Sequence, residues 1–130
     1  MFDFSQHPDK QDLGYRGYAH RVIDGDTMEV DLDLGFHLMH RVKVRLLGVN
    51  TPELDVKDEE LRRRAVMAKA YLEELVKDAP LRVRTYKTLS DNYKQTFARY
   101  VADIWVWRNG LWYSVSQGIH ISGYSKNTTR

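Results

Sequence analysis

Alternation organises the first half of the chain. Met28, Val30 and Leu32 take turns with Glu29, Asp31 and Asp33, the two-residue period of a half-buried strand. A second alternating run, Val42-Lys43-Val44-Arg45-Leu46-Leu47, closes a strand expected from about Phe36 to Leu47. Tyr18 to Ile23 reads as a strand before both. Asp24-Gly25-Asp26 and Asp33-Leu34-Gly35 supply the turns, since Asp and Gly favour tight reversals. Long neighbouring strands on short turns predict a curling antiparallel meander.

The period then changes. Leu61, Ala65, Ala68, Leu72, Leu75 and Ala79 recur at spacings of three and four, which predicts one amphipathic helix over Asp58 to Ala79. Asp58, Glu59 and Glu60 suit its positive N-terminal end, and Pro80 stops it. Leu81, Val83 and Thr85 next alternate with Arg82, Arg84 and Tyr86 as a fourth strand. Ser90 to Gln95 is a polar loop, Arg99 to Trp107 a fifth strand, and Arg108-Asn109-Gly110 its turn. A short helix is expected over Leu111 to Gln117, ending at Gly118 in a left-handed conformation. The order predicts a mainly β fold with helices: a five-stranded antiparallel barrel of the OB type, with the long helix between strands three and four. Residues 1–16 are expected as a loose arm, 17–124 as the domain and 125–130 as a short tail.

Composition narrows this picture modestly. A chain of 130 residues, 42% hydrophobic, suits one domain with its own core. The net charge of +2 is too small for overall basicity to indicate nucleic acid. Basic residues do gather at Arg62-Arg63-Arg64 and at Arg82, Arg84 and Lys87, although such runs serve equally well as solvated faces. The absence of cysteine excludes disulfides, thiolate metal sites and cysteine catalysis. No apolar segment approaches the roughly 20 residues of a bilayer span, so no membrane association is expected. The start lacks a basic region followed by an apolar one. Cytoplasmic residence is the default expectation, with secretion of a processed form left open, and a monomer is expected.

Chemistry concentrates in Arg45-Leu-Leu-Gly-Val-Asn-Thr-Pro-Glu53, preceded by Asp24-Gly-Asp-Thr27. Pro52 lacks an amide hydrogen and biases Thr51 toward extended geometry, so the strand breaks here. A guanidinium for an anionic phosphate, oxygens for a hard metal and a carboxylate to orient water are what phosphodiester chemistry requires. Each piece has a plainer reading. Asp-Gly-Asp is commonly only a turn, with Asp24 a structural carboxylate bonding turn amides. Arg45 alone would be a solvated strand residue, and Thr-Pro-Glu often opens a helix. Trp105, Trp107 and Trp112 suit barrel packing, with stacking on bases as the alternative. His20, His37, His40 and His120 show no ligand spacing.

Together the motifs resemble those of the staphylococcal nuclease (thermonuclease) family, over roughly residues 17–124. They are Val22-Ile-Asp-Gly-Asp-Thr27, Val44-Arg-Leu-Leu-Gly-Val-Asn-Thr-Pro-Glu53 and Phe97-Ala-Arg-Tyr-Val-Ala102, in that order. The resemblance implies cleavage of DNA and RNA with Ca2+, leaving 3′-phosphate ends. By it, Arg45 and Arg99 are the phosphate-binding arginines and Glu53 the catalytic base. Asp26 is a Ca2+ carboxylate ligand, Thr51 a ligand through its backbone carbonyl, and Tyr124 a nucleotide contact. The chain departs from the family pattern at Asn50, which stands where a second aspartate ligand is usual. An amide oxygen still coordinates Ca2+ but carries no charge, so weaker metal binding is expected. The loop Ser90 to Thr96 is longer than usual, and the family's last helix is expected to be absent or vestigial.

The expected function is therefore a metal-dependent endonuclease acting on DNA, with RNA as a further substrate, in single-stranded or flexible form. Ca2+ is the expected metal, and Mg2+ or Mn2+ suit the same oxygen ligands. The alternatives are a non-catalytic nucleic-acid-binding module and a protein-interaction barrel.

Overall fold

The computed structural model describes residues 14–86 and 99–125, with only the backbone of Arg99. The elements there are β1 (Tyr15–Asp24), β2 (Thr27–Asp33), β3 (Met39–Leu46), α1 (Glu59–Val76), β4 (Leu81–Tyr86), β5 (Arg99–Arg108), β6 (Leu111–Ser114) and α2 (Val115–Ile121). The sheet runs β3-β2-β1-β4-β5-β6, and a further pairing of β3 with β5 closes the first five strands into a barrel. The result is compatible with an OB fold and mainly β with helices, as expected.

The closing pair is parallel, whereas an antiparallel barrel was expected. The reason is topological: five strands cannot alternate direction all the way round a ring, so one pair must run the same way. β5 divides its edge to do this. Arg99–Ala102 pair with β3, and Trp105–Arg108 pair with β6.

Alternation becomes burial directly. Met28, Val30 and Leu32 of β2 and Val42, Val44 and Leu46 of β3 face the core, as do Ala102, Ile104 and Val106 of β5. On the outer side, in-register partners carry opposite charge: Arg41 bonds Asp31 at 2.7 Å and Arg21 bonds Glu29 at 3.3 Å. Exposed pairs of this kind fix register more than they add stability. β1 carries two register shifts, between Ala19 and Arg21 and between Val22 and Asp24. Such bulges bend a strand and aim its end.

Several boundaries differ from expectation. β3 begins at Met39 rather than near Phe36, because Gly35, Phe36 and His37 all take positive φ, which no strand accommodates. The Asp33 carboxylate holds that turn by accepting from the Gly35 amide at 2.8 Å. Leu111–Ser114 forms strand β6 instead of the start of a helix. Asn109 and Gly110 sit at φ 53° and 83°, a two-residue reversal that matches strand twist and makes a hairpin. The helix follows one turn later, capped by Ser114, whose hydroxyl accepts from the Gln117 amide. Gly118 consequently lies inside α2, and Gly123 (φ 82°) is the left-handed residue after it. β1 starts at Tyr15, two residues before the expected domain edge. The loop Ser90 to Thr96, most of the N-terminal arm and most of the tail lie outside the described residues.

α1 packs against β1 and α2 through Ala65, Ala68, Leu72 and Val76. Asp58 caps it, accepting from the Glu60 and Leu61 amides. It stops at Val76, three residues short of Ala79, since Asp78 turns left-handed (φ 51°) and Pro80 biases Ala79 away from helix. The open carbonyls at this end are met by Arg108 from the end of β5. Its Nη2 donates to Glu74 O at 2.9 Å, Leu75 O at 3.0 Å and Lys77 O at 3.2 Å. A cation here also opposes the negative end of the helix dipole. No helix among the described residues is long and apolar enough to cross a membrane.

Arg108→Ala removes all these bonds and is expected to lower unfolding stability by about 1–2 kcal/mol. Urea denaturation checks this; an unchanged midpoint would mean water serves those carbonyls equally well.

Candidate active site

The turn between β1 and β2 meets the end of β3 because Thr27 pairs with Arg45 and the Leu46 amide donates to Asp26 O at 2.8 Å. After β3, Leu47 and Gly48 reverse the chain, with Gly48 at φ 75°. Residues 49–53 then return across the turn. A cavity of about 390 Å³ lies where they meet, lined by Asp24, Asp26, Thr27, Lys43, Val44, Arg45, Asn50, Thr51 and Glu53. Five sequence-predicted site residues, Asp26, Arg45, Asn50, Thr51 and Glu53, thus share one concavity.

Asp26 is its centre. The residue is 6% exposed, and burying an ionised carboxylate is costly unless donors surround it. Oδ1 accepts from the Thr27 hydroxyl at 2.9 Å. Oδ2 accepts from the Thr51 amide at 3.2 Å and from Arg45 Nη2 at 3.4 Å. The Arg45 side chain is about half exposed, and one nitrogen is anchored while the others make no bond among the described residues and are available to an anion. Gly25 is required by the same crowding. A Cβ there would stand 2.6 Å from Thr51 Oγ1 and 2.7 Å from Ala68 Cβ of α1.

Asp24 is nearer the chemistry than its sequence suggests. It accepts from the Asp26 amide at 3.1 Å, the turn role expected for it, and it also lines the cavity. Partial burial, then the neighbouring Asp26 carboxyl, push its pKa from 3.8 up to about 6. Lys43 also lines the cavity. Its signal was available: it lies two residues before Arg45 on an alternating strand, hence on the same face.

Glu53 stands exposed at the rim, and its side chain makes no hydrogen bond or ion pair among the described residues. The Arg99 backbone pairs with Lys43 in the β3–β5 ladder, which brings it within one strand spacing, roughly 4.8 Å, of a cavity residue. Its side chain lies outside the described residues. Tyr124 is not among the residues lining the cavity. It packs on Tyr71 of α1, ring centres 5.2 Å apart, against the core.

The C-terminal segment holds the loop from behind. His120 Nε2 lies 2.8 Å from Gly48 O and so donates to it, Ser116 Oγ donates to Leu47 O at 3.4 Å, and the Asn50 amide donates to Ser125 Oγ at 3.0 Å. Leu47 N also donates to Ala102 O of β5. None of the three side-chain anchors is evident from sequence, because their partners are about 70 residues apart.

As to metal, no group of three or more His, Cys, Asp or Glu suited to an ion occurs among the described residues. Besides the Glu53 carboxylate at the rim, the cavity offers the carboxylates of Asp24 and Asp26, with the Asn50 side-chain amide and the Thr51 main chain. Thr51 Oγ1 is buried without a hydrogen-bond partner. An all-oxygen set with two carboxylates fits a hard divalent ion that keeps several waters, and fits zinc poorly.

No protein-family model matches the sequence, and no curated protein matches it.

The raised Asp24 pKa makes a stability prediction. A carboxyl that titrates higher when folded costs nothing below pH 3.8 and its full penalty above about 6. Allowing for solvent screening of this half-exposed group, the penalty is about 1 kcal/mol. In chelator, Asp24→Asn should therefore raise the thermal midpoint at neutral pH, with the gain vanishing in acid. A gain that ignored pH would assign it to something other than this charge.

Proposed function

We propose that this chain is a metal-dependent phosphodiesterase of the staphylococcal nuclease type, hydrolysing DNA and RNA in single-stranded or flexible form. One observation carries the reading: Arg45, Glu53, Asp26, Asn50 and Thr51 line a single cavity at one mouth of the barrel. Ca2+ is the expected ion, held by Asp26, Asn50 and the Thr51 carbonyl; Mg2+ and Mn2+ suit the same set. When bound, such an ion draws charge from a phosphate oxygen and so eases attack at phosphorus.

The chain's own groups supply the rest. Arg45, steadied by Asp26, presents its open nitrogens to the phosphate oxygens, and Lys43 adds a second positive charge on the same face. Arg99, whose backbone lies beside Lys43, is assigned the second guanidinium. Glu53, unpaired and exposed among the described residues, takes the proton from the attacking water. A P–O bond forms to that water's oxygen, the bond to the 5′ oxygen breaks, and solvent protonates the leaving group. Charge gathered at the phosphorus is stabilised by groups already in position. Tyr124 retains its proposed nucleotide contact only if a substrate reaches the Tyr71 side of the loop.

A second reading, a nucleic-acid-binding barrel without catalysis, is favoured by Asn50 in place of a carboxylate and by the lack, among the described residues, of any group of three or more His, Cys, Asp or Glu placed to hold an ion.

The deciding experiment incubates the protein with labelled single-stranded DNA across Ca2+, Mg2+ and Mn2+. Cleavage should appear with metal, stop with chelator, and fall about 10²-fold or more in Glu53→Gln. Undiminished cleavage by that variant would remove Glu53 from its role, and tight binding without cleavage in any ion would favour the second reading.

Asn50→Asp tests the ion site without relying on activity. Calorimetric titration should find tighter Ca2+ binding, since a charged ligand replaces a neutral one. Unchanged affinity would place residue 50 outside the coordination sphere.

A further inference from the structure

The hairpin of β5 and β6 carries an aromatic surface that the cavity leaves unexplained. Trp107 pairs with Trp112, and Arg82 of β4 pairs with both Trp105 of β5 and Arg16 of β1. Directly opposed residues share a face, and this is the outer one, since Ala102, Ile104 and Val106 fill the inner. The Trp107 and Trp112 rings meet edge to face with centres 5.1 Å apart. The Arg82 guanidinium lies over Trp112 at 5.9 Å and is steadied by Gly14 O at 3.2 Å. Arg16 is exposed and makes no side-chain hydrogen bond among the described residues. A groove of about 300 Å³ opens between them, with Tyr18 on its β1 side and no acidic residue in its lining.

Its chemistry selects a ligand. Trp107 keeps 39% of its surface in solvent, a cost for a large apolar ring that nothing in the barrel core demands. Two guanidiniums without a carboxylate repel cations, which argues against a methylated-amine ligand, and attract anions. An anion bearing a flat ring satisfies both walls together: the ring on tryptophan, the phosphate on arginine.

We propose that this groove is a second nucleic-acid site, binding one nucleotide of a single strand by stacking its base on Trp107 while Arg16 and Arg82 hold its phosphate. It is separate from the cavity. Tyr18 and Asp24 lie six residues apart on β1, roughly 20 Å along an extended strand. It also stands away from the β2–β3 surface that OB barrels commonly present to oligonucleotides. A strand several nucleotides long could occupy both places, but binding in the groove does not depend on the catalytic reading.

The test measures binding of labelled oligothymidylate in chelator, where no cleavage occurs. Adding it should quench tryptophan emission. Trp107→Ala and Arg16→Glu should each weaken affinity about 5-fold or more. An abasic strand of equal length should bind wild type correspondingly less well, yet bind Trp107→Ala no worse than thymidylate does. Should Trp107→Ala fail to fold, the Arg16→Glu and abasic comparisons carry the test alone. Equal affinity for both strands, indifference to Arg16→Glu, or a preference for polyglutamate would overturn the proposal. Failure of cleavage in every metal would bear on the proposed enzyme and leave this result standing.

Discussion

A buried carboxylate dictates the form of this molecule's mouth. Asp26 is nearly closed off from solvent, and an ionised group there survives only if hydrogen-bond donors take the place of water. Three sources provide them: the Thr27 hydroxyl, the Thr51 amide and Arg45. Each constrains something larger than itself. Arg45 must stand on the cavity side of β3. Thr51 must turn its amide inward, which draws residues 49–53 over the β1–β2 turn. Gly25 must lack a side chain so that Thr51 and Ala68 can close upon it. Replacing any donor leaves the same charge with fewer partners, so these residues act as a unit rather than as separate contributors.

The loop is clamped from the opposite side as well. α2 and the residues after it hold Gly48, Leu47 and Asn50 through His120, Ser116 and Ser125. The backbone of the loop is thereby tied to the barrel by side chains from two distant parts of the chain. Among the described residues, Asn50 is held only through its backbone amide, and Glu53, two residues past the Thr51 anchor, makes no competing side-chain bond. The frame of the loop is thus fixed from two sides while the Glu53 side chain stays uncommitted among the described residues, the arrangement that the proposed site requires.

How much of this the sequence disclosed depends on the range of the interaction. β2, β3 and α1 were legible because their periods express burial directly, residue by residue. The parallel closure of β3 on β5 was also within reach, as a consequence of counting strands. β6 stands where a helix is expected because Leu111-Trp-Tyr-Ser is too short to show a period; the Asn109-Gly110 reversal holds the stronger signal. The five cavity residues stand out as motifs and Lys43 follows from its two-residue spacing to Arg45, yet the burial of Asp26 is visible only once β3 lies against the turn. Arg108 stands in a turn sequence, yet its guanidinium closes a helix some thirty residues earlier. No local pattern encodes such a pairing. Placement of the Arg99 guanidinium, the loop at 90–96 and the arm before Gly14 lie outside the described residues.

β5 joins these observations. Its first residues pair with β3 at the cavity, its last with β6, and its final arginine closes α1. Because a closed five-stranded ring needs only part of this strand, the remainder is free to carry a hairpin beyond the barrel. That surplus creates an outer face that the core does not require, and it is there that Trp107 and Trp112 meet. Packing alone would place such rings inside. Their position outside, with Arg82 beside them, follows from strand register, since a one-residue slip would bury tryptophan and expose Val106. The same register that fixes the β5 core residues therefore also fixes the proposed groove, and substitutions that preserve it can alter binding on the outer face without disturbing the mouth.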